Sequence, residues 1–168
     1  SMRVTSMAVS SGLKLSLRAA DSFNPDDTAI DVTRIEGFTR AAIVGSPANG
    51  LFGGYGALID FSGSFESVFA RDVVMIAELG AAGAGAAGGS RAAAWQWLLT
   101  AIDDAKAYPR GFEEDGEGDL ITRKEAIALK PVVEGRLPLM VEVHNASDIL
   151  QLLTLRQREP RMKLVILG

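Results

Sequence analysis

The segment "PLMVEVHNASDILQLL" holds the only histidine of the 168-residue chain, His144. Glu142 lies two positions earlier. On an extended backbone, alternate side chains share a face, so Glu142 and His144 project together. At the carboxyl end of a strand in an α/β protein, such a pair can ligate a divalent metal or handle protons. Imidazole suits zinc, and a complete zinc site takes three or four ligands. One histidine cannot build a polyhistidine centre within this chain. The competing reading is a polar residue that finishes a strand, and the residues alone leave both open. Asn145 and Asp148 have a simpler role: a helix N-cap and an acid three residues on, a variant of the capping box that also suits the helix dipole.

Gly83, Gly85 and Gly88 match G-x-G-x-x-G, the spacing that lets a pyrophosphate approach a helix N-terminus. The match sits in the Ala/Gly tract "GAAGAGAAGGS", which generates it readily, and no acidic residue ends a second strand about 20 residues later as a dinucleotide fold requires. A flexible loop is the expectation there. "SPANGLFGGYG" reads as a long glycine-rich loop, in which Gly53, Gly54 and Tyr55 are substrate-loop candidates and a backbone nest for an anion is the chemistry on offer. Ser46 and Ser90 have no triad partners, and no G-x-S-x-G elbow is present. The chain has no cysteine, which excludes disulfides, zinc ribbons and thiol nucleophiles.

The elements that must position these residues follow from turn signals and periodicity. "NPDD" opens a helix in which Ala29, Val32 and Ile35 form an apolar stripe, and Gly37 closes it. "TRAAIVG" reads as a buried strand, "ALIDF" as a short strand, and "DVVMIAEL" as a strand or a helix turn. Ser90 caps a helix with Ala93, Trp97, Leu98, Ala101 and Ala105 on one stripe, ended by Pro109. "RGFEEDGEGD" is an acidic, solvated loop. Thr122 and Glu125 have capping-box spacing, Gly135 closes that helix, and Pro131 should bend or shorten it. "LPLMVEV", "ASDILQLLTLRQRE" and "MKLVILG" then read strand, helix, strand. This alternation argues for parallel strands joined by right-handed crossovers. The chain ends on a buried-type strand, which suggests a piece of something larger, since an eight-unit barrel takes about 250 residues.

The composition, 48% hydrophobic and 23% charged, suits one α/β domain over residues 1–168. A net charge of -4 lacks the basic footprint of a nucleic-acid or anionic-membrane partner. No apolar run approaches the roughly 18 residues of a spanning helix, and the first residues lack a signal-peptide core, so a soluble protein of undecided compartment is expected.

Several segments together resemble the amidohydrolase superfamily in its imidazolonepropionase-like branch: the D-x-x-N-P turn, the G-F-T strand, "GGYGALI", the "GGSRAAA" helix start and "LPLMVEVHNASDI". The likeness runs from about residue 21 to the end of the chain. It implies a partial (β/α) TIM-type barrel and the hydrolysis of C–N bonds in amides or cyclic amides, with zinc the expected metal of the parent enzyme. The family's His-x-His motif is absent from these residues, so the resemblance implies a central fragment, inactive in isolation and without bound metal. His144 and Glu142 are the implied metal ligands, and by offset from Ile149 the ligand position falls on Glu142 rather than His144. No lysine is matched to the family's bridging carbamate; Lys130 lies in a helix pattern. Two further expectations accompany this reading. Exposed sheet edges should drive self-association. From a different class, a stand-alone α/β module would bind an anion or nucleotide through its glycine-rich loops.

Overall fold

The computed structural model describes residues 15–47, 50–64, 66–110 and 121–168, with the acidic stretch 111–120 and the amino-terminal residues 1–14 outside the described set. Five strands form one sheet in the order β1 (Arg40–Ile43), β2 (Phe52–Asp60), β3 (Val68–Glu78), β4 (Leu139–Glu142) and β5 (Leu164–Leu167). β1, β2 and β3 are an antiparallel meander, whereas β3, β4 and β5 run parallel. The sheet is therefore mixed, where alternation predicted a purely parallel one. It curls into a half-barrel with helices packed against it. The reason for the antiparallel half is local: no helix intervenes between β1 and β2 or between β2 and β3, so each pair closes as neighbours in sequence.

The second half of the glycine-rich stretch, from Phe52, is strand and not loop. Gly53, Gly54 and Tyr55 lie in the buried amino-terminal half of β2. Glycine serves close backbone approach here. A Cβ on Gly53 would overlap the Gly45 carbonyl oxygen, and Gly54, at φ +79°, stands against the Leu17 carbonyl. The Tyr55 N–H donates to that Leu17 oxygen at 2.7 Å, which stitches the segment at Leu15 to β2. β1 is also less buried than its sequence suggested, because it is an edge strand with only Ile43 sequestered.

Helix α1 (Thr28–Ile35) follows the predicted Asn24–Asp27 turn, and the Asp27 carboxylate accepts from the Ala29 N–H. Its anchor is Ile30; Val32 and Ile35 are exposed, so the predicted stripe faces the wrong way. The Ala/Gly tract forms a short helix, α2 (Ala81–Ala86), instead of a flexible loop. α3 (Arg91–Ala107) is capped by Ser90 and buries Leu98, Ala101 and Ala105. α4 (Arg123–Val133) carries the full capping box of Thr122 and Glu125 and ends two residues beyond Pro131. α5 (Ala146–Arg158) crosses from β4 to β5. The main core lies between the sheet and helices α3 and α4, around Phe52, Met75, Leu98, Leu129 and Leu139. Among the described residues, no helix is long and apolar enough to cross a membrane.

Tyr55 joins sheet to helix: its hydroxyl donates to the Ala128 carbonyl at 2.8 Å, a buried bond. Burial, with Asp72 adding to it, pushes the phenol above its ordinary value. The folded state thus holds this proton more tightly than the unfolded chain. The associated stability is complete below about pH 10, the unfolded value, and is lost as pH rises through the folded one. Urea midpoints between pH 8 and 11 should fall less steeply at the alkaline end for Tyr55→Phe than for the parent. At neutral pH, that variant should cost about 1 kcal/mol through loss of this buried hydrogen bond. Identical alkaline slopes would refute the assignment.

Candidate functional site

Parallel pairing brings the carboxyl ends of β3 and β4 together. Glu78, the last residue of β3, stands directly opposite Glu142, the last residue of β4. Glu78 is buried, the Glu142 side chain is 16% exposed, and His144 is 57% exposed. The His144 Nε2 lies 3.3 Å from Glu142 Oε1, so the two residues that alternation placed on one face are in contact. Gly80 begins the turn into α2 and sits between the groups: a Cβ there would lie 3.5 Å from His144 Cδ2 and 3.6 Å from Glu78 Oε1. At the strand ends, Glu78 and His144 thus flank Gly80, and Glu142 contacts His144.

Glu78 was missed by sequence reasoning. Its signal was present: "MIAELG" ends an apolar run in a carboxylate, just as "LMVEV" does. The run's strand character was ambiguous, so the acid could not be placed at a strand end.

Asn145 is the N-cap residue of α5, but its side chain makes no cap bond to the helix backbone. Its Nδ2 instead donates to Asp148 Oδ2 at 3.3 Å. Asp148 is buried and pairs with Arg91 Nη1 at 3.3 Å, which ties the start of α5 to the start of α3. Asn145 thus stands at the expected N-cap position without the expected side-chain cap bond, and Asp148 serves the link to α3 instead.

Among the described residues, no three His, Cys, Asp or Glu side chains are grouped so as to hold a metal ion. Glu142 and His144 supply two neighbouring donors that already contact each other. These residues alone do not fit a zinc centre, which needs three or four ligands. Gly53, Gly54 and Tyr55, proposed for a substrate loop, lie in β2 and are committed to strand packing. Gly83 is packed against the Glu78 carbonyl, whereas Gly85 has open space around it.

No protein-family model matches the sequence, and no curated protein matches it. Among solved structures, the crystal structure of an amidohydrolase from Thermotoga maritima MSB8 superposes with a TM-score of 0.72 at 22% identity. The chain has an amidohydrolase-like fold. The match covers 88% of this chain and 41% of the Thermotoga chain, so the present chain spans about two fifths of that relative's length. At this identity the likeness concerns the fold.

Proposed function

We propose that this chain is the central part of a metal-dependent amidohydrolase that cleaves C–N bonds of amides or cyclic amides. The observation that carries the reading is the placement of Glu142 and His144 at the carboxyl end of a parallel strand, beside Glu78, in an amidohydrolase-like half-barrel. In barrels of this type chemistry is built at that end of the strands. Glu142 and His144 contribute donors or proton-handling groups, and the remaining groups of the centre come from strands that complete the barrel.

The experiment has two arms. The 168-residue chain should bind less than one equivalent of zinc in a calorimetric titration and hydrolyse no cyclic amide. A polypeptide carrying this segment with the strands that complete a barrel should hydrolyse members of a cyclic-amide panel. Glu142→Gln and His144→Gln should each lower kcat/KM there by at least about 100-fold. Turnover unchanged in both variants, or no amide hydrolysis by the complete barrel, would overturn the proposal.

A further inference from the structure

We propose that Arg91 is a positioning residue for the strand-end site: acting through Asp148, it holds the His144 imidazole between Glu142 and Gly80. The catalytic consequence rests on the amidohydrolase reading; the placement of the ring does not. His144 is 57% exposed, so burial does not fix its ring. Two contacts do. Its Nε2 lies 3.3 Å from Glu142 Oε1, and its Cδ2 stands against Gly80. Glu142 ends β4, whereas Gly80 belongs to the turn between β3 and α2. The orientation of the ring therefore depends on how the turn after β3 sits against the turn after β4.

Past the ladder pair of Glu78 and Glu142, the two strands lead away into helices. Arg91 and Asp148 rejoin them. Arg91 opens α3, and Asp148 lies in the first turn of α5. The Asp148 side chain is 7% exposed, and its Oδ2 accepts from Arg91 Nη1 and from Asn145 Nδ2, each at 3.3 Å. A carboxylate so far from water needs such compensation. The helix dipole explains Asp148 but not Arg91: an acid is favoured at a helix N-terminus, and a cation there is opposed. The place of Arg91 therefore answers to Asp148 and not to the stability of α3. Asn145 completes the path. It follows His144 directly, and its amide is committed to Asp148 instead of the α5 backbone. Arg91 thus orients Asp148, Asp148 fixes the Asn145 side chain, and Asn145 fixes the backbone from which His144 projects.

The single imidazole supplies the readout in the 168-residue chain. A nuclear Overhauser contact between His144 Cδ2–H and the Gly80 α-protons should be present in the parent and lost in Arg91→Met. Arg91→Lys should retain it, because one nitrogen, Nη1, makes the contact to Asp148 and a point charge can replace it. Arg158→Met is the matched control. Arg158 pairs with Asp103 and joins α5 to α3 at the opposite ends of both helices. Its loss should lower the urea midpoint and leave the His144–Gly80 contact unchanged. In the complete barrel, Arg91→Met should lower kcat at least about tenfold with KM unchanged, since Arg91 acts through other residues. If Arg91→Met does not fold, Asp148→Asn, close to isosteric, carries the same expectation. A lower midpoint with the contact intact would reduce the pair to a staple between helices and overturn the proposal. Equal loss of the contact in Arg158→Met, or an unchanged kcat, would overturn it too. The contact is read without turnover, so a complete barrel that hydrolyses no amide would overturn the amidohydrolase reading and leave the imidazole measurement to decide this one.

Discussion

Gly54→Ala is expected to lower the unfolding free energy by about 3–5 kcal/mol, enough to unfold much of a marginally stable domain. Two independent costs combine. Gly54 has φ +79°, a conformation that costs an L-residue on the order of 1 kcal/mol or more. An added Cβ would also overlap the Leu17 carbonyl oxygen and lie 2.9 Å from the Leu17 Cβ. The neighbour cannot easily yield, because that same carbonyl accepts the Tyr55 N–H, and Leu15, just before it, is fully buried in the core. Gly85→Ala is the matched control. Gly85 is helical, has open space where a Cβ would go, and should gain about 0.5–1 kcal/mol. Urea midpoints of the two variants should therefore move in opposite directions. A Gly54→Ala loss below about 1 kcal/mol would show that the Leu17 segment is not held as described.

This contrast marks the boundary of what the residues alone disclose. Helix starts were legible at Ser90, at Thr122 and after the Asn24–Asp27 turn, because capping is a bond between near neighbours whose geometry depends little on the rest of the fold. The contact of Glu142 with His144 was likewise legible from strand alternation alone. β2 was not. Glycines signal turns in isolation, yet here they are spaced to admit Gly45, Leu17 and Val74 against one strand, and that demand is set by elements distant in sequence. The exposed Val32 and Ile35 show a related limit: three-residue spacing defines a stripe but not the side on which the core lies, and Ile30 took the buried place. Glu78 entered the candidate site through sheet register, since only pairing β3 with β4 puts it opposite Glu142.

The second large effect should come from Gly83, whose role is to let α2 turn back onto the end of β3. A Cβ there would overlap the Glu78 carbonyl oxygen, lie 3.0 Å from its carbon and meet Leu51 Cδ1 at 3.4 Å. Glu78 cannot retreat freely: its N–H donates to the Leu51 carbonyl at 2.9 Å, and the next N–H, of Leu79, donates to the Glu142 carbonyl at 3.2 Å. Gly83→Ala should therefore cost about 3 kcal/mol or more and displace the strand ends that carry Glu78 and Glu142. The chain has one histidine, so its imidazole gives a single set of side-chain resonances for reading that displacement. Gly80, three residues before Gly83, lies against the ring, which ties the ring environment to this turn. The His144 Cε1–H resonance should shift in Gly83→Ala and stay in place in Gly85→Ala, with both spectra recorded below the unfolding transition. A loss of stability without that shift would mean that α2 supports the core but does not position the strand-end carboxylates. An unmoved midpoint would mean that the turn has room the close Glu78 approach denies.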